Sequence, residues 1–320
     1  MKPRTTSVGS LPRPRALLRA RWLHAEGEID DNALREATAT ATRAVLERQA
    51  ELGLDLFVDG QMDRGDMVTH FAAGLDGVEA GGLVRCYGNR YYHMPRVTGA
   101  LARTAALSLD GWRLARGLTE GPLKATVTGP YTLMHCSGNE FYDTREACCM
   151  AFATAVAAEI GELLEAGVDE IQLDEPAFGA RRDELELGLE SMRRATSCVE
   201  GRARSWAHVC YGDPDPPLES VLKLPVDGVM LGMLNPSDAQ LERLAALPPD
   251  KLLAAGVVDA AGEVVESPRC LDGRVSTLLD HVPPERLWLA PDGGLRGLDD
   301  ALAWGKLAAL ARAGAAEDGR

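Results

Sequence analysis

The sequence has no CxxC pair, no GxGxxG fingerprint behind an early strand, and no unbroken apolar stretch of the roughly eighteen residues that a membrane span needs. Each absence closes off a class of protein. Without CxxC there is no compact structural zinc module. The seven cysteines are Cys86, Cys136, Cys148, Cys149, Cys198, Cys210 and Cys270, an odd and irregularly spaced set that makes a poor disulfide framework. The N-terminal stretch Met1–Trp22 is Arg-rich and interrupted by proline, so it lacks the apolar core of a signal peptide. A cytoplasmic protein with reduced thiols and no membrane contact is the expectation. Positive charge is also scarce. The 34 Lys and Arg stand against 48 Asp and Glu, for a formal net charge of −14. That excludes an extended nucleic-acid surface, which concentrates Lys and Arg. It leaves small molecules as partners and still allows a local basic pocket for a small anion.

What is present is globular. Hydrophobic residues make up 46% and charged residues 26% of 320, enough to bury one sizeable core. No linker, internal repeat or low-complexity tract divides the chain, so residues 1–320 read as one domain. Short apolar runs alternate with helical patterns. Strands are expected at Thr5–Gly9, Leu54–Asp59, Lys124–Thr128, Glu170–Asp174, Ser205–Cys210, Gly228–Leu231, Leu252–Val258 and Leu287–Ala290. Helices are expected at Asp31–Leu52, Arg145–Ala166, Asp183–Cys198, Ser267–Asp280 and Asp299–Ala311. The Gly-rich segment Ala72–Ala102 reads as a strand with an irregular excursion. Alternation of this kind predicts βαβ units and a parallel sheet, and about eight strands predict an α/β fold closed into a (β/α)8 TIM barrel. A doubly wound sheet competes, but Gly9-Ser10-Leu11-Pro12-Arg13-Pro14 after the first strand does not fit a dinucleotide loop.

Polar residues end successive strands: Ser10, Asp59-Gly60-Gln61, Thr128-Gly129-Pro130, Asp174-Glu175, His208-Val209-Cys210, Asp259 and Asp292. In a barrel these ends converge on one mouth. Asp, Gly and Pro also end strands simply as turn formers, a reading that suits Asp59, Asp259 and Asp292. It suits His208 and Cys210 poorly. Residues two apart on a strand share a face, so this imidazole and thiol point together. They make half of a zinc site, or else a core histidine beside an inert cysteine. Adjacent acids face opposite ways. Asp174 is expected inward to hold a cationic group, with a helix cap or salt bridge as its alternative. Thr128-Gly129 would let backbone approach a ligand, or form a plain tight turn. Cys148-Cys149 reads as helix packing.

With these residues in place, the chain resembles the catalytic half of the cobalamin-independent methionine synthases and their short single-barrel relatives, from Thr5 to about Arg296. The resemblance rests on Thr5-Thr6-Ser7-Val8-Gly9-Ser10, Asp59-Gly60-Gln61-Met62-Asp63-Arg64, Thr128-Gly129-Pro130-Tyr131-Thr132 and Leu173-Asp174-Glu175-Pro176. It continues through His208-Val209-Cys210-Tyr211-Gly212, Gly256-Val257-Val258-Asp259 and Pro291-Asp292-Gly293-Gly294. The superfamily also holds epoxyalkane:coenzyme M transferases.

The resemblance implies a barrel of the UROD and methionine-synthase type. It implies a zinc-activated thiolate attacking a methyl or alkyl group, with folate or methylcobalamin, or a methyl-carrier protein, as donor. His208 and Cys210 would be zinc ligands. Ser10, Gln61, Asp174, Thr128, Gly129 and His135 would contact substrate. The sequence departs from the pattern where it matters. Gly232 stands where the family has a ligand Glu, Gly293 where it has a ligand Cys, Gln61 where it has a substrate-binding Glu, and Cys136 near a folate-packing Trp. His135, Cys136, Asp213 and Asp292 are the residues that could compensate. Three readings follow: a methyl- or alkyltransferase acting on a thiol or related nucleophile; a metal-free barrel enzyme such as a lyase, decarboxylase or non-thiol transferase; and a degenerate barrel that binds a ligand.

Overall fold

Apolar runs that must be covered on both faces become parallel strands, and here eight staves do so. A computed structural model describes residues 2–86, 90–178, 180–210 and 218–315. Its strands are β1 (Arg4–Thr5), β2 (Leu75–Glu79), β3 (Leu83–Cys86), β4 (Arg90–His93), β5 (Arg96–Arg103), β6 (Ala125–Thr128), β7 (Gly138–Asn139), β8 (Glu170–Asp174), β9 (Arg204–Val209), β10 (Gly228–Gly232), β11 (Leu252–Val258) and β12 (Leu287–Pro291). Seven form one parallel sheet in the order β1-β12-β11-β10-β9-β8-β6. The expected strand at Leu54–Asp59 makes no full ladder. It closes the cylinder through two bridges, Thr6 to Leu56 and Phe57 to Leu123. Leu56 N donates to Thr5 O at 3.2 Å on one side, and Lys124 N to Phe57 O at 3.1 Å on the other. The result is the expected (β/α)8 barrel.

Parity decides what each residue does. Val8, Leu56, Trp206, Met230, Ala254, Trp288 and Ala290 form a separate apolar cluster inside the barrel. Their odd-numbered neighbours, such as Ala207, Val229, Leu253 and Leu289, join the larger core under the helices. Trp206 and Trp288 meet edge to face at 5.3 Å, and the Trp206 indole donates to Glu170 Oε2 at 2.7 Å. The barrel is therefore largely a packed core, and the polar residues of the strand ends gather at its upper end.

The helices are α1 (Arg15–Ala25), α2 (Asp31–Leu52), α3 (Thr69–Ala72), α4 (Leu109–Arg116), α5 (Pro130–His135), α6 (Arg145–Glu165), α7 (Leu185–Thr196), α8 (Leu218–Leu222), α9 (Asp238–Leu244), α10 (Pro268–Leu279) and α11 (Asp300–Ala315). Their starts follow capping chemistry. Asp30, one residue before the expected start, caps α2 by accepting from Ala33 N at 2.9 Å; Gly53 ends that helix in the left-handed region. Ser267 caps α10 with Pro268 in its first turn, as the sequence predicts. Helix α6 is long and apolar enough to cross a membrane by length and composition alone. Here it is a core helix: Cys148, Cys149, Phe152, Val156, Ile160 and Leu163 are fully buried. Burial pushes the Cys148 thiol up to about 11 and that of Cys149 to about 12, as suits packing cysteines.

The Gly-rich segment is more ordered than its composition suggests. β2 pairs antiparallel with β5, and β3 with β4, so it forms paired ribbons rather than one strand. Glu159 of α6 ties this excursion to the barrel. Its buried carboxylate accepts from Leu107 N, Ser108 N and Leu109 N at 3.0, 2.7 and 2.9 Å, capping α4 from a different helix. It also takes Arg103 Nε at 2.7 Å. Removing one partner of such a buried network leaves the rest unsatisfied, so Glu159→Ala should cost about 3–5 kcal/mol. Urea denaturation checks this; a loss under about 1 kcal/mol would show that the cap is replaceable by water.

Candidate active site

The mouth is built where the interior parity reaches the strand ends. Asp174 ends β8 and lies opposite His208 of β9 in the parallel register. His208 Nδ1 is 3.2 Å from Asp174 Oδ1. Cys210 lies two residues on, on the same face, and is nearly buried. The imidazole, the sulfur and the carboxylate are thus brought together, as the strand spacing predicts. His208 Nε2 is buried and has no hydrogen-bond partner. Burial works against charge on this ring, but the adjacent Cys210 sulfur and the Asp174 carboxylate outweigh it and lift the imidazolium to about 10. An orphaned ring nitrogen beside a thiol is a polar group aimed at a ligand.

Asp292, at the end of β12, joins them. Its Oδ1 accepts from Ala260 N at 2.7 Å. Burial raises its carboxyl above the usual range, and His208 is near enough to oppose that rise. It sits against two glycines: a Cβ on Gly256 would lie 2.8 Å from the Asp292 Cβ, and one on Gly232 3.5 Å. Gly232 therefore opens the mouth beside Asp292, where a longer side chain would point. Asp59 and Asp259 keep their turn roles. Asp59 Oδ1 accepts from Gln61 N at 2.9 Å, and Asp259 Oδ1 from Ala261 N at 2.8 Å.

Gln61 has φ +54°, a left-handed backbone that costs a non-glycine residue free energy. Its Nε2 reaches Thr126 Oγ1 at 3.3 Å, and a Cβ on Gly9 would lie 2.8 Å from that nitrogen. The carboxamide is thus folded down over the inner face of the barrel. Ser10 Oγ packs on Gly294, and Ser10 O accepts from Leu295 N at 2.9 Å.

Two expected substrate contacts sit elsewhere, and a third, Thr128, lies opposite Asp174 but with its hydroxyl already engaged. Thr128 is wholly buried and its hydroxyl donates to Met67 O at 2.8 Å. Gly129 is approached by Glu175, not by a ligand. Glu175 turns away from Asp174, as alternation requires, and accepts from Tyr131 N and Thr132 N at 3.0 and 2.8 Å, capping α5. A side chain on Gly129 would collide with that carboxylate. Burial pushes the Glu175 carboxyl up to about 7. His135 stacks on Tyr131, and its electrostatic neighbours are Arg145, Glu184 and Arg181, a cluster apart from His208. Cys136 is buried, with its carbonyl accepting from Tyr92 Oη at 3.0 Å. Asp213, Tyr211 and Gly212 lie outside the described residues.

Two residues beneath the mouth escaped the sequence reading. Gln172 Nε2 donates to Asp174 Oδ1 at 2.5 Å and to Val8 O at 2.8 Å. Lys124, fully enclosed below it, donates to Ser7 O at 2.7 Å. Their signal was present: both are polar residues of inward parity, in line with Asp174 and Thr126. Burial pulls the Lys124 ammonium down to about 7, against the attraction of Asp174 and Glu170. A lysine whose folded pKa is lowered holds fewer protons folded than unfolded between about 7 and 10.5, so its contribution to stability rises with pH across that window. Lys124→Met should therefore gain most over the parent at or below pH 7 and lose that advantage towards pH 10.5. Unfolding free energies of both proteins at several pH values test this; a pH-independent difference would exclude charge as the cause.

Comparison with known proteins gives the family and the fold. The profile of the family described as cobalamin-independent synthase, catalytic domain, matches residues 3–316. The chain is 33% identical over 307 residues to a methionine synthase of Saccharolobus solfataricus, covering 96% of this chain and 92% of that one. It is 34% identical to a methionine synthase of Sulfurisphaera tokodaii, covering 95% and 89%. The structure of a B12-independent methionine synthase from Shewanella sp. W3-18-1, in complex with selenomethionine, superimposes with a TM-score of 0.86 at 27% identity, over 98% of this chain and 97% of that one.

Proposed function

The chain belongs to the cobalamin-independent synthase family, as its catalytic domain and so as a methyltransferase, and on that premise we propose that it moves a methyl or small alkyl group onto a small thiol held at the barrel mouth. The observation that supports this reading is the Asp174–His208–Cys210 group, with the His208 Nε2 buried and unmatched.

The family resemblance also implies zinc. The donors that fit are His208 Nε2 and the Cys210 sulfur. Among the described residues no group of three His, Cys, Asp or Glu side chains could hold a metal ion. Catalytic zinc normally takes three protein ligands. Gly232 and Gly293, at two positions where the resemblance expects ligands, offer none. The described residues do not complete the site, and no step is assigned to a metal.

The chain's own groups can still serve thiol alkylation. Asp174 orients the His208 ring through Nδ1 and favours its charged form. The imidazolium then presents Nε2–H to the mouth, where it stabilises an acceptor that enters as thiolate. That sulfur attacks the alkyl carbon. The new S–C bond forms as the bond to the donor breaks, and its electron pair leaves with the donor. Gln61 and Ser10 would touch the rest of the acceptor. Gln61 carries no charge, so among the described residues an acceptor ammonium would find its counter-charge in Asp174 or Asp292. The donor we expect is a methyl-folate or methylcobalamin carrier. A second reading, a lyase or decarboxylase using His208 and Asp292 as acid and base, is favoured by the missing ligand positions.

Purified enzyme offered methyl-folate or methylcobalamin with homocysteine and simple alkyl thiols should yield thioethers detectable by mass spectrometry. His208→Ala, Cys210→Ala and Asp174→Asn should each lower kcat by about 10²–10⁴-fold. Turnover that is unchanged in Cys210→Ala, or is seen only in lyase assays, would select the second reading. Gln61→Glu should lower KM for an amino-acid thiol by about tenfold while leaving a thiol without an amine unaffected, since a charge-assisted contact adds about 1.5–3 kcal/mol at best. Equal effects on both would remove Gln61 from acceptor recognition.

A further inference from the structure

Helix α1 buries Leu17 and leaves two large apolar side chains in solvent: Leu18 is 50% exposed and Trp22 57%. A lone exposed apolar residue is ordinary, but these two are four apart and share one helical face. Arg15 and Glu26, both exposed, extend that face at the same spacing. From its start the stripe is basic at Arg15, apolar at Leu18 and Trp22, and acidic at Glu26, with Arg19 alongside and Glu28 just beyond. Among the described residues neither Arg15 nor Glu26 makes an ion pair within the chain.

The helix is fixed to the barrel from another face. Arg21 donates to Arg64 O at 2.9 Å and to Met62 O at 2.5 Å, and Arg13, just before the helix, donates to Gln61 O at 3.0 Å. Beside the stripe, between α1, α2 and the start of α11, lies a cavity of about 680 Å³ whose apolar lining includes Pro14, Leu18, Ala41, Val45, Leu298 and Trp304. Leu18 belongs to both the stripe and the cavity. An exposed indole thus stands one turn along a rigidly held helix from an open apolar hollow.

We propose that this face pairs with a second copy of the chain, α1 against α1, antiparallel about a two-fold axis near Ala20. Leu18 and Trp22 are placed evenly about that residue, so Leu18 meets Trp22 of the second copy and the reverse, as isologous symmetry requires. Arg15 and Glu26 are placed almost evenly about the same point. Each helix start therefore meets the other's end, giving two ion pairs per dimer. Each indole enters the other copy's cavity beside Leu18. Arg19, close to the axis, stacks on the face of that indole. A parallel pairing would set Arg15 on Arg15 and Glu26 on Glu26, so charge selects the antiparallel one. The net charge of −14 repels copies at large, which confines their contact to a patch that carries its own complement. A pair of short helices is small beside the roughly 1,600 Å² of a standard interface, so the dimer is a weak one.

Sedimentation velocity of the full chain from about 1 to about 200 µM tests the pairing, a range suited to interfaces below the standard size. A concentration-dependent dimer is expected. Trp22→Glu should weaken it at least about a hundredfold, since each dimer loses two central aromatic anchors. Arg15→Glu and Glu26→Arg should each weaken it at least about tenfold by setting like charges face to face. Combined in one chain they should restore it, because the exchanged charges are complementary again. The exchange puts an acid at the start of α1 and a base at its end, which favours the helix, and thermal melting checks that every variant is folded. A monomer throughout the range overturns the proposal and leaves the stripe to a foreign partner. A dimer that Trp22→Glu leaves intact, or that the charge exchange fails to restore, overturns it as well.

Discussion

The contact between Asp174 and His208 is the constraint on which the mouth depends, and it exists only because β8 and β9 are paired in one register. A slip of one residue would turn His208 and Cys210 into the helical layer and bring Val209 inward. The register is held from below. Trp206 fills the barrel beneath His208 and anchors its indole on Glu170, while Gln172 bridges from Asp174 to the carbonyl of Val8 on another stave. Site geometry is thus bought by packing in the lower barrel, where a misplaced indole would be as costly as a misplaced charge.

The interior is zoned along its axis. Trp206, Met230, Ala254 and Trp288 close the lower part, and Asp174, His208 and Asp292 occupy the upper part. Lys124 stands at the boundary, with a single close carbonyl and the field of Asp174 above it. A buried ammonium is expensive unless opposite charge is near. Its presence keeps Asp174 a counter-charge to two cationic groups, the lysine below and the imidazolium beside it.

Much of this was legible in the sequence, because parity is. Glu170–Asp174 and Leu252–Val258 run to the residues expected, and the opposite directions of Asp174 and Glu175 follow from alternation alone. The pairing of His208 with Cys210 is of the same kind. What was not legible depends on partners far away in sequence. The role of Gly129 is set by Glu175 and that of Thr128 by Met67. The strand expected at Leu54–Asp59 is reduced to bridges because its neighbours β1 and β6 are short. The glycines of the excursion masked antiparallel ribbons; Gly77 takes φ +78° and lies so close to Ala100 O that no Cβ would fit.

The departures from the family pattern become coherent when charge is counted across the mouth. A divalent cation held by a carboxylate and thiolates is nearly neutral only while those anionic ligands are present. The positions where the resemblance expects a ligand Glu and a ligand Cys are Gly232 and Gly293, and the expected substrate-binding acid is Gln61. Both of those expected ligands are anionic, and glycine supplies neither. Among the described residues, what remains is the His208 ring, held charged by the adjacent Cys210 sulfur and Asp174; Lys124, which burial draws down against Asp174 and Glu170; and the Asp292 carboxyl, raised by burial and near His208. Gly232 keeps the space beside Asp292 open.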